Sequence, residues 1–123
     1  MVGVGIDIVR VDRIDALIRR HGDRFRHRCF QPAELAMASR RGTLEAATLA
    51  ARWAAKEAFL KALGPAAHGI IWRDVEVYAG EAGQPLLRLH SSAASALSAA
   101  GGSTAHVSLS HERDHAVAVV LVE

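Results

Sequence analysis

The sequence predicts a single α+β domain that spans residues 1–123. Three observations support this class: a strand pattern near the N-terminus, a long apolar run with helical composition in the middle, and two strands around a tight turn at the end. The predicted order is a strand, then helices, then strands with one more helix. At 123 residues the chain can bury one core and has no room for a second domain.

The longest helical pattern runs from Thr43 to Gly64. A threonine is a favourable first cap, and a glycine followed by a proline is a typical helix end. Nearly every position between them is Ala, Leu, Phe or Trp, so we expect this helix to be buried on most sides. Four charged residues nevertheless interrupt it.

Those four charged residues fall on two edges of the helix. Glu57 and Lys61 lie one turn apart on one edge, beside small alanines that leave room for a substrate, and Arg52 and Lys56 lie on another. On an exposed helix Glu57 and Lys61 would form an ion pair worth roughly a few tenths of a kcal/mol. Apolar surroundings make an uncompensated charge costly, so a specific partner is expected. Both lysines of the chain, among 15 basic residues, are on this helix.

The net charge of +2 is unevenly distributed. Residues 1–41 carry nine arginines against five acids, whereas residues 42–123 carry six basic and eight acidic residues. The N-terminal third is therefore the predicted docking surface for an acidic partner, either a nucleic acid or an acidic protein. No aromatic residues alternate with these arginines, and no recognition-helix or zinc-finger pattern occurs, which disfavours nucleic acid.

The sequence also predicts a cytoplasmic protein that does not bind a membrane. No apolar run approaches the ~20 residues that span a bilayer, and the N-terminus lacks a charged region followed by a signal-peptide core. Cys29 is the only cysteine, so neither a disulfide framework nor a thiolate zinc site is expected. A buried, inert thiol is the simplest interpretation of Cys29.

The first strand is predicted over Val2 to Val9, where residues alternate in character. Its faces differ, with branched apolar residues on one (Val4, Ile6, Ile8) and small or acidic residues on the other (Gly3, Gly5, Asp7). A carboxylate at the end of a glycine-lined face would have open space in front of it, which suits a ligand site. A simple turn or cap is an equally good interpretation of Asp7 from this segment alone.

Two short helices are predicted between this strand and the long helix. Asp12 caps the first, which runs from Arg13 to His21, and Gly22 ends it. The second begins at Gln31 with a proline in its first turn, and it ends near Arg41.

The C-terminal part is predicted as two strand pairs with a helix between them. The elements are strands over Ile70 to Tyr78 and Leu86 to His90, a helix from Ser91 or Ser92 to Gly101, and a hairpin formed by His106 to His111 and His115 to Val122. The last strand is apolar on both faces, so a subunit interface is expected to cover the face that the domain leaves open. The seven histidines show no metal-ligand spacing with the cysteine.

Three stretches occur in an order and spacing that match a known family: GIDIV near the N-terminus, ARWAAKEAFLKALG in the middle and HVSLSH near the end. Together they resemble the holo-acyl-carrier-protein synthases, the small, single-domain branch of the 4′-phosphopantetheinyl transferases. The resemblance covers essentially the whole chain, including IIWRDVEV and GQPLLRLH. It implies the 4′-phosphopantetheinyl transferase fold, with an antiparallel sheet packed on the long central helix, and a homotrimer whose active sites lie between subunits.

The resemblance implies a magnesium site that binds coenzyme A. The aspartate of GIDIV and the glutamate of AAKEA, here Asp7 and Glu57, match the Mg²⁺ ligands, and Mg²⁺ prefers a few carboxylates together with phosphates and water. Lys61 matches a lysine near the coenzyme A diphosphate. Arg52 and Lys56 match basic positions that contact its phosphates.

The same pattern implies further residues at the edge of the active site. Gly83 and Pro85 match a G-x-P turn close to the nucleotide, and His111 matches a histidine that borders the coenzyme A site. The acceptor of the substrate's proton is left open among Glu112 with His111, a metal-bound water, and Glu57 itself. The expected catalytic residues are therefore Glu57, Lys61, His111 and Glu112.

The implied reaction transfers the 4′-phosphopantetheine group of coenzyme A to a serine of an apo acyl carrier protein and releases adenosine 3′,5′-bisphosphate, as fatty acid biosynthesis requires. Carrier proteins are acidic, and the resemblance implies docking through arginines of the first helix, with Arg13, Arg20 and Arg24 as candidates. Two alternatives remain. One is the same chemistry on a polyketide synthase carrier domain, and the other is a non-catalytic arginine-rich protein that binds an acidic partner.

The chain departs from the family pattern at three places. GPAAHG replaces a common Gly-Thr-Gly turn, Trp53 replaces a more usual phenylalanine, and Gln84 stands where lysine is frequent. These departures are expected to affect substrate fit rather than the metal ligands.

Overall fold

The computed structural model describes residues 2–123, which form two antiparallel sheets and five helices. In chain order the elements are β1 (Gly3–Arg10), α1 (Val11–His21), α2 (Asp23–Cys29), α3 (Pro32–Ser39), α4 (Glu45–Leu63), β2 (Val75–Ala79), β3 (Pro85–Leu89), α5 (Ser91–Ala99), β4 (Ala105–Glu112) and β5 (His115–Val122). Short 3₁₀ turns occupy Gly42–Leu44, Gly64–Ala67 and Trp72–Asp74. The predicted α+β class with an antiparallel sheet is confirmed. Across residues 2–123, no helix combines the length and apolar character needed to cross a membrane.

The larger sheet has the strand order β1-β5-β4, and the smaller sheet pairs β2 with β3. β1 and β5 pair antiparallel, from Gly3 opposite Val122 to Arg10 opposite His115, and β5 pairs with β4 in a hairpin. Because alternate residues of a strand point to opposite faces, this register gives the larger sheet an inner face toward α4 and an outer face.

The inner face of the larger sheet packs directly on α4. Gly3 and Gly5 lie on this face, and a Cβ atom built on either glycine would fall 2.0 Å from a helix carbonyl oxygen, that of Ala62 or of Ala58. No side chain beyond hydrogen fits at this approach of strand to helix. The prediction of open space along the glycine-lined face that leads to Asp7 is therefore wrong, because α4 fills it.

The alanines of α4 serve the same close packing. Ala50 and Ala54, which were expected to leave room for a substrate beside Glu57, are fully buried. Interiors pack to the density of organic crystals, so small side chains here bring the helix close to its neighbours rather than opening a cavity. That part of the prediction is also wrong.

The outer face of the larger sheet is uncovered in a single chain. Branched apolar residues of β1 and β5 form this outer sheet face: Val4, Ile6, Ile8, Val117, Val119 and Leu121. Val4, Ile6 and Ile8 expose 57%, 61% and 64% of their surface. A contiguous apolar patch of this kind is typical of an association surface.

Two helices begin differently from the prediction. β1 runs into α1 without a loop, so Asp12 lies inside the first turn and forms an ion pair with Arg10 at 2.8 Å instead of capping the helix. Thr43 lies in a 3₁₀ turn, and α4 begins at Glu45 with no side-chain cap. In both cases the preceding backbone is already ordered by another element, which leaves no separate capping position.

One helix and one strand boundary were missed. Gly22, with φ +56°, ends α1, and α2 starts at the next residue. The seven residues of α2 are too few to show an apolar period. Of the predicted strand Ile70 to Tyr78 only the second half pairs in β2, because the Asp74 carboxylate accepts hydrogen bonds from the Ser92 backbone N–H at 3.1 Å and from its hydroxyl, and residues 72–74 form a turn.

Candidate active site

The first candidate group, here called the carboxylate–lysine cluster, consists of Asp7 on β1 with Glu57 and Lys61 on α4. Lys61 Nζ lies 3.1 Å from Asp7 Oδ1 and donates to the Ile6 carbonyl oxygen, also at 3.1 Å. The Asp7 side chain is only 13% exposed. Within residues 2–123 its second oxygen, Oδ2, is buried and has no hydrogen-bond partner. A buried carboxylate oxygen without a donor is costly, so this atom indicates a missing positive partner.

Glu57 completes this cluster without joining its ion pair. Lys61, one turn from Glu57 on the same helix, is bound to Asp7. Partial burial and then the nearby charge of Asp7 raise the pKa of Glu57, while Lys61 and Arg13 act in the opposite direction. A carboxylate whose ionised form is disfavoured by burial and by a neighbouring carboxylate is stabilised by a nearby cation.

The cluster fits a magnesium ion. Mg²⁺ keeps several waters and is bound in proteins by one or two carboxylates together with substrate phosphates. Asp7 offers the unpartnered Oδ2, and Glu57 is half-buried beside it. Among residues 2–123 no group of three or more His, Cys, Asp or Glu side chains is placed to hold a metal, so a site made only of protein ligands is not formed there. The donor set suits a hard cation shared with a phosphate.

The second candidate group, the arginine–histidine cleft, lies near the other end of α4. Arg41, Arg52 and His111 line it together with Leu44, Ala47, Thr48, Ala51 and Leu109. Its volume is about 150 Å³, room for about five waters at ~30 Å³ each, so a phosphate group fits. Arg52 is buried, its Nη1 lies 3.5 Å from the Thr48 carbonyl oxygen, and burial lowers its pKa.

The structure thus brings the predicted Arg52 and His111 together and adds Arg41, which the sequence did not single out. Within residues 2–123 Arg52 Nε is buried without a hydrogen-bond partner, which again indicates an absent acceptor. A guanidinium presents its donors in a fork that matches phosphate oxygens. Arg41 precedes the long helix by a few residues, and only the tertiary fold shows that it faces Arg52.

One chain does not join the two groups. Arg52 and Lys61 are nine residues apart on α4, which is about 13 Å along the helix axis. Asp7 and His111 both lie on the inner face, but β5 separates their strands, so they are about 10 Å apart across the sheet. Within one chain the carboxylate–lysine cluster and the arginine–histidine cleft are therefore separate groups, and they are here called the two half-sites.

Lys56 does not fit the predicted phosphate contact. Its ammonium is 1% exposed, lies 2.9 Å from Glu34 Oε1 and also donates to the Val75 carbonyl oxygen. The ring of Phe30 lies 5.2 Å from Nζ. Burial lowers the pKa of Lys56, and the charge of Glu34 opposes this. Its donors are committed inside the core, where they tie α4 to α3 and β2, so the prediction for Lys56 is wrong.

His111 and Glu112 do not form a joint proton acceptor in one chain. β4 continues through Glu112, so the two neighbouring side chains point to opposite faces of the sheet. His111 lies opposite Ala116 on the inner face and borders the arginine–histidine cleft. Glu112 lies opposite His115 on the outer face. The predicted pairing of these two residues is wrong, and each remains a candidate by itself.

Gly83 and Pro85 lie in the turn that joins β2 to β3. Gly83 has φ +82°, a conformation that favours glycine, and its N–H donates to the Gly80 carbonyl oxygen at 2.9 Å. Pro85 is the first residue of β3. Both belong to the smaller sheet and to neither half-site, so their contact with a nucleotide stays a prediction.

The arginines of the N-terminal third divide into paired and unpaired ones. The paired ones are Arg10 with Asp12, Arg19 with Asp15, and Arg26 with Asp23 and Glu45. The three docking candidates, Arg13, Arg20 and Arg24, form no ion pair with any residue in the range 2–123. Their charge is therefore available to an acidic partner.

An apolar groove adjoins these unpaired arginines. It is lined by Leu17, His21, Arg24, Phe25, Arg28, Cys29, Trp53 and Trp72. Arg28 extends the basic rim, and Trp72 forms part of the apolar floor; the sequence singled out neither, because their positions depend on α2 and on the turn before β2. Cys29 is half-buried rather than buried as predicted, and burial raises the pKa of its thiol, which favours the protonated form.

Comparison with known proteins identifies the family. Residues 3–120 match the family model described as the 4′-phosphopantetheinyl transferase superfamily. A protein named holo-[acyl-carrier-protein] synthase, from Halorhodospira halophila, is 47% identical over 123 residues, which cover 99% of this chain and 97% of that protein.

Solved structures agree. The holo-[acyl-carrier-protein] synthase from Neisseria meningitidis matches with a TM-score of 0.85 at 31% identity, covering 100% of this chain and 98% of that one. The Helicobacter pylori holo-[acyl-carrier-protein] synthase, solved in complex with coenzyme A, matches with a TM-score of 0.81 at 27% identity, covering 98% of this chain and 99% of that one. This chain is therefore a transferase that belongs to the 4′-phosphopantetheinyl transferase superfamily, in the family of the holo-[acyl-carrier-protein] synthases. The resemblance found in the sequence is confirmed.

Proposed function

We propose that this chain transfers the 4′-phosphopantetheine group of coenzyme A to a serine of an apo acyl carrier protein and releases adenosine 3′,5′-bisphosphate. The observation that carries the proposal is the carboxylate–lysine cluster, in which Asp7 keeps a buried, unpartnered oxygen next to Glu57 and Lys61. Relatives that share the whole chain length are named holo-[acyl-carrier-protein] synthases, and one of them was solved with coenzyme A.

The proposed reaction is a phosphoryl transfer. The serine oxygen forms a bond to the phosphorus nearer the pantetheine, the bond from that phosphorus to the bridging oxygen breaks, and the serine proton leaves to a base. Asp7 and Glu57 would hold Mg²⁺, which supplies charge neutralisation at the diphosphate when it is bound. Lys61, half-exposed beside Asp7, would bind a diphosphate oxygen and stabilise the negative charge on the leaving group. The proposed proton acceptor is one of three residues: His111, Glu112 or Glu57.

We also propose that the active site is shared between subunits of a homotrimer. Two observations support this: the two half-sites lie at different ends of α4, and the outer sheet face is apolar and exposed. A homotrimer in which the arginine–histidine cleft of one chain lies near the carboxylate–lysine cluster of the next would complete the site. Coenzyme A could then span both half-sites, with a phosphate at Arg41, Arg52 and His111.

The oligomer can be tested by sedimentation velocity. Ile8→Glu places a charge on the outer sheet face and should convert the trimer to folded monomers that have lost transfer activity. Leu86→Glu is the matched control, since Leu86 is an exposed apolar residue of the smaller sheet and its replacement should leave the trimer intact. A wild-type protein that is a stable monomer at working concentration would contradict the shared site.

The acidic carrier protein would dock on the unpaired arginines of α1 and on Arg24, beside the apolar groove. We propose that the carrier serves fatty acid biosynthesis in the cytoplasm, and a polyketide carrier domain would use the same surface and chemistry. Comparing kcat/KM for apo carriers of both kinds separates these substrates.

The central experiment mixes the protein with coenzyme A, Mg²⁺ and an apo carrier protein and weighs the intact carrier. The expected result is a mass gain of one phosphopantetheine group, which requires Mg²⁺ and is absent when the acceptor serine of the carrier is replaced by alanine. A lack of this adduct across several apo carriers would contradict the proposed function.

A further inference from the structure

Trp53 contacts both Arg13 and Trp72, and these three residues are here called the stack. The guanidinium carbon of Arg13 lies 4.8 Å from the centroid of the Trp53 ring. The rings of Trp53 and Trp72 are 4.8 Å apart between centroids and inclined by 40°. The three side chains come from three separate segments, namely α1, α4 and the turn before β2.

At one end of this stack, Trp72 belongs to a turn that is fixed by hydrogen bonds. Gln31 Nε2 donates to the Arg73 carbonyl oxygen at 2.7 Å. The Asp74 carboxylate accepts from the Ser92 backbone N–H, and the Ser92 hydroxyl accepts from the Ile71 N–H at 3.0 Å. Trp72 is therefore held in place, and it supports one side of Trp53.

At the other end of the stack is Arg13, whose charge is near that of Glu57 without forming an ion pair with it. Arg19 on the same helix is fixed by Asp15, whereas Arg13 forms no ion pair with any residue from 2 to 123. The indole of Trp53 is the aromatic ring in contact with the Arg13 guanidinium, while the charge of Glu57 acts on it from a longer distance. An arginine over an indole face gains a cation–π attraction that an unsupported arginine on a helix surface lacks.

The stack also sets a distance. Trp53 precedes Glu57 by four residues, so it lies one helical turn, about 5.4 Å, from a residue of the carboxylate–lysine cluster. Since the charge of Arg13 also acts on Glu57, an acidic side chain that binds Arg13 comes close to this cluster.

We propose that Trp53 is a positioning residue for the carrier protein. Packed against Trp72, its ring holds the Arg13 guanidinium in the orientation that receives an acidic side chain of the carrier. The acceptor serine is thereby presented to the carboxylate–lysine cluster. This inference rests on the proposed function. The partner chemistry is a carboxylate exposed on the carrier surface close to its acceptor serine.

The test is a double-mutant cycle between the two residues, with carrier and coenzyme A varied separately. Trp53→Leu, which keeps an apolar residue in the groove, should raise the KM for the carrier about three- to tenfold and leave the KM for coenzyme A unchanged. In an Arg13→Ala background the same change should have no further effect on the carrier KM, because the orienting ring has nothing left to hold. Trp53→Phe should recover most of the loss.

Two results would overturn the inference. If the effects of Trp53→Leu and Arg13→Ala multiply in the double variant, the two residues act independently. If Trp53→Leu raises both KM values equally, with a lowered melting temperature and no recovery in Trp53→Phe, the ring only fills space. The wild-type rate is measured first: absence of transfer there contradicts the proposed function, whereas normal transfer with multiplying effects contradicts only the role of Trp53.

Intrinsic fluorescence gives a second readout on the free protein. Trp53 and Trp72 are the two tryptophans of the sequence, so the emission reports on this stack. Arg13→Ala should change the emission maximum or intensity, while Arg20→Ala, which alters another unpaired arginine of α1, should not. An emission unchanged by Arg13→Ala would show that the guanidinium does not rest on Trp53 in solution.

Discussion

Helix α4 carries two sets of charges that meet partners from other elements, and the two sets differ in how completely they are satisfied. Lys56 is buried, yet its ammonium contacts a carboxylate, a carbonyl oxygen and an aromatic ring. Glu57 is the next residue, and it faces Asp7, a second carboxylate with an oxygen that has no donor. The first set holds three elements together, and the second keeps a buried oxygen that a cation would satisfy.

The arginines of the docking surface repeat this contrast on the outside of the molecule. Arg19 is paired with Asp15 within α1, whereas Arg13 lies over an aromatic ring and forms no ion pair with residues 2–123. In both regions a charge with internal partners stabilises the fold, and a charge without them marks a place for a substrate or a protein. The presence or absence of an internal partner therefore distinguishes charged residues that look equivalent in the sequence pattern.

The largest effect is expected from removing the charge of Glu57. Glu57→Gln should lower Mg²⁺-dependent transfer at least about a hundredfold, because a carboxylate proposed to hold the cation is lost. The fold should remain, since the change relieves repulsion with Asp7. Transfer rates by intact mass, with thermal melts as the control, measure both effects, and full activity in this variant would show that Glu57 is not a metal ligand.

For the buried Lys56–Glu34 pair we expect the opposite: a large loss of stability rather than a direct loss of activity. Lys56→Met should lower the free energy of unfolding by about 3–5 kcal/mol, because Glu34 is left buried without its partner. Denaturant titration measures the loss. Replacing both residues, as in Lys56→Met with Glu34→Leu, should restore part of the stability, because no unpaired charge then remains. A loss of coenzyme A binding in a folded Lys56→Met protein would favour the phosphate contact instead.

A smaller effect is expected at the docking surface. Arg13→Glu should raise the KM for the carrier protein about tenfold by repelling its acidic surface, and the Kd for coenzyme A by calorimetry should stay nearly the same. Arg19→Glu is the matched control on the same helix and should change the carrier KM only about twofold, because Arg19 is already neutralised by Asp15. Equal losses of carrier and coenzyme A binding in Arg13→Glu would point to misfolding.

The smallest effect concerns pH. Burial and the charge of Asp7 raise the pKa of Glu57 above its ordinary value of 4.5. In the pH window between the pKa of the unfolded chain and the higher pKa of the folded protein, the folded protein therefore binds more protons than the unfolded chain. The contribution of Glu57 to the free energy of unfolding should therefore fall as the pH rises through that window without Mg²⁺. Glu57→Gln should flatten this part of the profile. Denaturation curves from pH 4 to about 7 test the sign, and an identical slope in both proteins would assign it to other groups.

Local patterns predicted much of the fold. The alternation of β1, the terminal hairpin and the apolar length of α4 each belong to one continuous segment, so periodicity was sufficient. The start of α3 was equally local: Gln31 precedes the helix, and its backbone N–H donates to Glu34 Oε1 at 2.9 Å in a capping box. These features depend on residues within a few positions of one another.

The errors arose where partners are distant in sequence. Lys56 looked like a phosphate ligand because Glu34, 22 residues away, could not be recognised as its partner. Gly3 and Gly5 suggested open space, although the glycines are needed for the approach of α4. For the site, family motifs identified Asp7, Glu57 and Lys61, but no sequence pattern showed that Arg41 joins Arg52 and His111, or that Trp72 supports Trp53.

The pairing of β1 with β5 also fixes when the reaction centre can exist during folding. β1 carries Asp7, and its neighbour in the sheet lies about a hundred residues later in the sequence. Contacts between such distant segments form slowly because a long loop must close first. Helix α4 can display Glu57 and Lys61 early, as a local structure. Asp7 takes its place in the sheet only when the terminal hairpin has formed, so a partly folded chain would hold only one of the two proposed cation ligands and should be inactive.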